Sequence, residues 1–377
     1  MTIAFVNNNL TGLIHFRLDV MMHFVECGYK VVAIAPSDNQ LQGDVPDEIT
    51  FIPVELARTS TNPISDLKFF LSLRRILREV KPDYVFFYTI KPNIYGTFAA
   101  RSLGIHSSMM MAGLGYTFSN NNMASRLARQ LYKLVIKLSD SVMLLNQSNY
   151  DTLVQMKICE NEKFVLLKGG EGVNLDRYQC QSNDSEVSKF LFVGRLLREK
   201  GIFDFVEAAK LVKQRKLEAQ FLVAGELDEA FPDSMTQAEL DALMKDGVIK
   251  YLGTVDMTKL LMQSGIVIAI PSYYNEGLNR SLMEGCATGK PIITTTQPGC
   301  KETVKDGVNG FLVPVRDPEA LADAMLRYLN LDKESKVRMA FESRRMAETL
   351  FDVRDVIKVY DSLAQRFIET NLGQNLG

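Results

Sequence analysis

Two glutamates eight residues apart, Glu276 and Glu284, fall in the segment Pro271-Ser-Tyr-Tyr-Asn-Glu276-Gly-Leu-Asn-Arg-Ser-Leu-Met-Glu284, directly after the apolar run Ile266–Ile270. Carboxylates placed there can accept hydrogen bonds from sugar or ribose hydroxyls. Between them, Gly277 and Leu278 can turn backbone N–H groups toward a phosphate near a helix N-terminus. A second segment, Phe190-Leu-Phe-Val-Gly194-Arg195-Leu-Leu-Arg198-Glu-Lys200-Gly201, carries three cations in a loop flanked by glycines. Arg195 and Lys200 stand five apart, a spacing that can clamp a diphosphate and stabilise its charge as it departs. A third segment, Asn7-Asn-Asn-Leu-Thr-Gly12, follows the first apolar run and opens a helix. Each has a plainer reading. Ser281-Leu-Met-Glu284 fits a capping box, in which Glu284 serves only backbone donors. Glu276 fits a solvated loop charge, the Arg/Lys loop a solvated basic turn, and Asn9 or Thr11 a simple helix cap.

These residues need strands to hold them. Short β-type runs alternate with helical stretches along the chain: Thr2–Val6, Lys30–Ala35, Asp83–Tyr88, Ser107–Met111, Ser141–Leu145 and Phe164–Leu167, then Lys189–Gly194, Ala219–Gly225, Val248–Leu252, Ile266–Ile270, Pro291–Thr294 and Gly310–Pro314. Most are continuous apolar runs, as expected of parallel strands covered on both faces. Two doubly wound α/β domains are the simplest account. The polar stretch Tyr178–Ser188 reads as the linker, giving domains at 1–177 and 188–350. Helical patterns follow at 317–332, 334–350 and 353–369. Ligands of open parallel sheets bind at the carboxyl ends of strands, and all three segments begin there.

Glu276-x7-Glu284, the Gly-Arg…Lys-Gly loop, Gly225-Glu-Leu-Asp, Tyr251-Leu-Gly253 and Gly307-Val-Asn-Gly310-Phe-Leu-Val occur in this order. Together they resemble the retaining family-4 glycosyltransferases of GT-B fold, two Rossmann-like domains facing a central cleft. The match covers essentially the whole chain and is densest over 189–316. It is especially similar to the branch extending lipid-linked saccharides in bacterial O-antigen, capsule and glycan assembly. The resemblance implies that Arg195 and Lys200 hold the nucleotide diphosphate and that Glu284 binds the ribose hydroxyls. It implies that Glu276, Gly277, Leu278 and Asn279 face the donor sugar, with Gly194 in the same donor-binding site. Gly12 would lie near the donor phosphate and the acceptor, and the helix at 353–369 would pack back onto the first domain.

The chain departs from the family pattern after Asp83–Tyr88. Where many members carry a histidine that contacts the donor sugar, this sequence reads Thr89-Ile-Lys91-Pro-Asn-Ile-Tyr-Gly96. Anchored on Gly96, Lys91 takes that place and could support the sugar or a phosphate; a solvated lysine is the alternative. The histidines are His15, His23 and His106, with His15 nearest the Gly12 loop. No general base follows from them, and the family's front-side reaction lets the departing phosphate assist proton removal. Asp-x-Asp is absent; no metal or other cofactor is expected, only a UDP-sugar as donor substrate.

At 377 residues and 42.4 kDa, 46% hydrophobic and 23% charged, the chain is long enough for two ordinary cores. A net charge of −2 argues against a nucleic-acid binder. Five scattered cysteines without a CxxC pair fit a reducing compartment and argue against a zinc ribbon. No apolar run approaches the ~18–20 residues that span a bilayer, and Met1–Val6 reads as a strand rather than a signal peptide, so a cytoplasmic protein is expected. The charge is uneven, however. Residues 51–150 hold 12 Lys+Arg against 5 Asp+Glu, a surplus of 7, and the remainder carries −9. On Met123–Leu138, Arg126, Arg129, Lys133 and Lys137 share one arc, and Leu127, Leu131, Leu134 and Leu138 share another, expected to face the core. On Ile64–Val80, Lys68, Arg74, Arg75 and Arg78 share a side, with Leu67 and Leu71 among them and Phe69, Leu73, Ile76 and Val80 opposite. Such faces can hold a protein on an anionic membrane surface beside a polyprenyl-diphosphate acceptor. Ordinary surface helices are the alternative.

The expectation is a membrane-associated retaining transferase that moves a hexose or N-acetylhexosamine from UDP to a lipid-linked saccharide. A GT-B epimerase or hydrolase is the second enzyme reading, and a non-enzymatic sugar-binding protein the reading from another class. A dinucleotide oxidoreductase is weaker, because no GxGxxG follows a strand.

Overall fold

Apolar runs such as Val31–Ala35 and Ile266–Ile270 become strands buried on both faces, and every strand pairing in the computed structural model is parallel. The structure describes residues 1–377 except 39–40, 57–61, 114–122, 158–162, 181–184, 186, 230–233, 275–276 and 375–377. The chain divides into two units, Met1–Glu171 with Val353–Gly377, and Gly172–Asp352.

The first unit holds β1 (Thr2–Val6), β2 (Lys30–Ala35), β3 (Ile49–Pro53), β4 (Tyr84–Tyr88), β5 (His106–Met111), β6 (Ser141–Leu144) and β7 (Phe164–Leu166), in the order β3-β2-β1-β4-β5-β6-β7. Its helices include α1 (Leu10–Glu26), α2 (Pro63–Val80), α3 (Thr97–Ser102), α4 (Met123–Leu138) and α5 (Gln147–Gln155). One sheet face packs Phe5, Phe86, Tyr88 and Met110 against α1; the other packs Val6, Val85 and Phe87 against α2, α3 and α4. Strand β3 lies outside the sequence expectation. It is an edge strand with Thr50 and Pro53 exposed and Phe51 and Ile52 half-buried, so it lacks the continuous apolar signal of the inner strands.

The second unit holds β8 (Ser188–Val193), β9 (Ala219–Ala224), β10 (Lys250–Tyr251), β11 (Ile266–Ile270), β12 (Ile292–Thr295) and β13 (Gly310–Val313), in the order β10-β9-β8-β11-β12-β13. Its helices are α6 (Ile202–Gln214), α7 (Gln237–Lys245), α8 (Met257–Leu261), α9 (Arg280–Ala287), α10 (Pro318–Leu329) and α11 (Lys333–Met346). The chain then returns to the first unit as α12 (Val353–Gln374), where the Tyr88 hydroxyl donates to that of Tyr360 at 3.0 Å and Tyr360 packs 4.8 Å from the Phe86 ring.

Two expectations are corrected. The units part at Gly172, ahead of the polar stretch read as a linker, and Tyr178 is buried in the second unit. Residues 181–184 and 186 of that stretch lie outside the described residues. On α4 the leucine arc faces the core only in part, through a half-buried Leu131. The helix buries Tyr132, Val135 and Ile136 on a third arc, leaving Leu127 62% and Leu134 48% exposed beside the cations. The cations and the outer leucines thus meet solvent, because three neighbouring arcs share one helix and the core takes the one bearing Tyr132 with Leu131 at its margin.

Candidate active site

In both sheets the strand order reverses at the centre, between β1 and β4 in the first and between β8 and β11 in the second. A crevice opens at such a switch point, on the carboxyl side of the strands. The Arg/Lys loop leaves β8 and the glutamate segment leaves β11, so one crevice of the second unit receives both.

Glycines bring these loops together. Gly194 and Gly225 have φ of +145° and +144°, and a side chain on Gly225 would overlap the Gly194 carbonyl. Gly201 (φ +82°) caps the turn Arg198–Lys200, and a Cβ there would overlap the carbonyl of Pro271. The Tyr273 amide donates to Glu199 O at 2.9 Å, stitching the loop after β11 to the loop after β8. Lys200 Nζ lies 5.2 Å over the Tyr274 ring, and Arg195 is half-buried at the start of the same loop. Arg198, the third cation, turns instead to the Phe203 ring at 4.1 Å and to Glu239 at 3.6 Å.

Glu284 sits in α9. The helix is capped by Asn279, whose Oδ1 accepts from the Leu282 amide at 3.2 Å, so the capping-box reading of Glu284 is not the one realised. Asn279, read as a donor-binding residue, has its side-chain oxygen engaged in this cap. Glu284 is buried, and its Oε1 accepts from Arg280 Nε at 2.8 Å and from the Tyr178 hydroxyl at 2.9 Å. Arg280 Nη1 also donates to the Gly172 carbonyl. Burial, and then the Glu284 charge, push the Tyr178 phenol up to about 12, so it stays protonated as a donor. The Leu278 side chain packs in the core, leaving its backbone as the part a ligand can meet. Glu276 and Asn275 lie outside the described residues.

In the first unit, Asn9 caps α1 by accepting from the Gly12 amide at 2.6 Å. The helix-cap reading of Asn9 is thus realised, and the cap engages the Gly12 N–H. What Gly12 supplies is room, since a Cβ would overlap the buried Asn7 side chain. Arg17, buried in α1, donates to Gly12 O at 3.1 Å, pairs with Glu171 and stacks 4.4 Å over the Tyr88 ring. At the end of β4, Thr89 adopts φ +69°, a conformation costly for a β-branched residue and frequent at functional sites. Lys91, two residues on, pairs with Asp66 at 2.7 Å, and Tyr95 donates to the other Asp66 oxygen at 2.8 Å. The solvated-lysine alternative therefore fails, and a catalytic Lys91 would act with its charge already countered. His15 is exposed, while His23 meets Asp361 at 2.8 Å and His106 meets Asp140 at 3.1 Å.

Sequence reasoning missed Tyr178, Arg280, Arg17 and Asp66. Arg280 stands four residues before Glu284, the spacing of a helical ion pair, and was legible. Tyr178, 106 residues from its partner, was not. Among the described residues, no group of three or more His, Cys, Asp or Glu could hold a metal ion.

Solved structures share this pair of sheets. Sucrose-phosphate synthase from Thermosynechococcus elongatus superposes with a TM-score of 0.81 at 17% identity, covering 98% of this chain and 100% of that one. Anabaena HepE in complex with UDP-glucose gives 0.77 at 18%, covering 99% and 100%. The architecture is GT-B, one of the folds of sugar-transferring enzymes. The chain belongs to the family-4 glycosyltransferases: residues 4–146 match the profile described as glycosyl transferase 4-like, and residues 187–331 that of glycosyl transferases group 1. Among its relatives is the Campylobacter jejuni N,N'-diacetylbacillosaminyl-diphospho-undecaprenol alpha-1,3-N-acetylgalactosaminyltransferase, 26% identical over 98% of this chain and 100% of that protein. Another is the Escherichia coli UDP-Gal:alpha-D-GlcNAc-diphosphoundecaprenol alpha-1,3-galactosyltransferase, 23% identical over 81% and 80%.

Proposed function

We propose that this glycosyltransferase moves a hexose or N-acetylhexosamine from UDP to a saccharide carried on a polyprenyl diphosphate, in surface polysaccharide or glycan assembly. The observation that carries this reading is the end-to-end likeness to the Campylobacter transferase, whose name specifies a diphospho-undecaprenol acceptor. The Escherichia coli relative's name adds a UDP-linked donor and an alpha product. UDP-galactose is itself alpha-linked, so an alpha product corresponds to retention, and we extend retention to this chain.

In this reading Arg195 and Lys200 hold the diphosphate, Glu284 the ribose, and Glu276 with the backbone of Gly277 and Leu278 the sugar. The acceptor oxygen bonds to the sugar's anomeric carbon as the bond to the diphosphate breaks on the same face. The acceptor proton passes to the departing phosphate oxygen. Charge developing on that phosphate is met by the two cations, which supports catalysis without a metal. Activity that is lost on chelation and restored by Mg²⁺ or Mn²⁺ would overturn metal independence.

The acceptor places the reaction at a membrane. None of the helices searched is long and apolar enough to cross one. Support for peripheral binding at the inner face of the cell membrane comes from α2 and α4, which pack on the same sheet face. Each turns cations outward beside exposed apolar side chains, Leu67 and Leu71 on α2, Leu127 and Leu134 on α4.

The test is UDP release from a panel of UDP-sugars, with and without a polyprenyl-diphosphate sugar. Acceptor-dependent release is expected, and Glu276→Ala, Arg195→Ala and Lys200→Ala should each lower turnover at least about a hundredfold, as loss of one transition-state contact does. Release that ignores the acceptor would overturn the reading.

A further inference from the structure

Glu284 is held more firmly than accepting a hydroxyl requires. An ionised carboxylate offers about four lone-pair sites on two oxygens. In this chain both donors, Arg280 Nε at 2.8 Å and the Tyr178 hydroxyl at 2.9 Å, fall on Oε1. Among the described residues no bond reaches Oε2. Arg280 is fixed at its far end as well, through Nη1 on the Gly172 carbonyl. A planar guanidinium bonded at two of its nitrogens has little freedom to rotate, so it sets the plane of the carboxylate it meets. Tyr178 is buried, and its ring cannot swing away without opening the core around β8 and α9. The Arg280 charge also faces that of a carboxylate with only 9% of its side chain exposed.

We propose that Arg280 and Tyr178 are positioning residues that saturate Oε1 of Glu284 and thereby present Oε2 alone to the adjacent 2′ and 3′ hydroxyls of the donor's ribose. The inference rests on the UDP-sugar reading above and deepens it. One oxygen with two lone pairs can take both hydroxyls of a cis-diol; a carboxylate free to turn would average over poorer arrangements. The consequence is selectivity. A nucleotide lacking either hydroxyl leaves part of a buried, oriented anion unpaired, and a site built for a hydroxyl penalises the analogue that lacks it.

The test is calorimetric binding of UDP, 2′-deoxy-UDP and 3′-deoxy-UDP to the wild type, Tyr178→Phe, Arg280→Lys and Arg280→Gln. The wild type should bind UDP at least about tenfold tighter than either deoxy form, as expected for one hydrogen bond to a charged group. Tyr178→Phe should shrink that ratio several-fold, Arg280→Gln should bring it near one, and Arg280→Lys should fall between. Equal weakening of all three nucleotides, with the ratio unchanged, would show a merely structural role and overturn the proposal. So would a wild type that binds UDP without preferring it. Should Arg280→Gln fail to fold, the ratio for Tyr178→Phe decides. A wild type that binds no UDP at all overturns the nucleotide reading itself, a result separate from the others.

Discussion

Gly201 lies against the carbonyl of Pro271, so close that no side chain fits between them. Through this contact the loop after β8 and the loop after β11 share one path at the switch point. Gly201→Ala would add both an overlap and a strained left-handed residue at φ +82°. The expected cost is about 3 kcal/mol of stability, read by chemical denaturation. Loss of UDP binding should exceed what that destabilisation explains. A variant of wild-type stability that still binds UDP would show that the approach is not needed.

Arg17 and Glu171 form an ion pair with side chains 6% and 12% exposed. Removing one partner leaves a buried charge alone, so Glu171→Gln or Arg17→Met should each cost about 3–5 kcal/mol. The double variant should cost less than the sum, because no charge is then stranded. Thermal denaturation of the four proteins tests this, and strict additivity would refute it.

Lys290 is fully buried, and that burial lowers its ammonium from 10.5 to about 8, against a hydrogen bond from Nζ to Gln263 O at 2.9 Å. The folded pKa lies below the unfolded one, so between those values the unfolded chain binds more protons and stability rises with pH. Below about 8 the penalty of a buried charge is present in full. It amounts to about 3 kcal/mol at 1.36 kcal/mol per unit. Relative to Lys290→Met, the wild type should therefore gain up to about 3 kcal/mol between pH 7 and pH 10.5. A difference that stays constant across this range would contradict it.

The exposed leucines of α4 make the membrane surface testable apart from charge. Replacing Arg126, Arg129, Lys133 and Lys137 by Ser should weaken binding to anionic vesicles by about fivefold per residue at low salt. Replacing Leu127 and Leu134 by Ser should leave weak binding that disappears near physiological salt, since only the screened electrostatic part remains. Co-sedimentation measures both, and a wild type that ignores anionic vesicles at low salt would remove the surface from the proposal.

The inner strands and the segments after β8 and β11 were legible because burial on both faces writes itself as continuous apolar runs. Strand β3 was not, since an edge strand capped by Pro53 has no such run. The α4 leucines misled for the opposite reason. Apolarity says that a side chain can be buried, and only the sheet decides that Tyr132, Val135 and Ile136 are fully so while Leu131 is half covered. The capping-box alternative for Glu284 fitted its local spacing, while one of the partners that hold it, Tyr178, comes from elsewhere in the chain. Local pattern located the residues at the strand ends, and long-range pairing determined what each is held by.

The return of α12 to the first sheet has a consequence for synthesis. As the chain leaves the ribosome, Phe86 and Tyr88 of β4 emerge long before Tyr360, the side chain that packs on one and hydrogen-bonds the other. The whole of the second unit must be translated in between. Until then the places that Tyr360 fills beside Phe86 and Tyr88 stay open, so the first unit completes its aromatic core only after the second has been made.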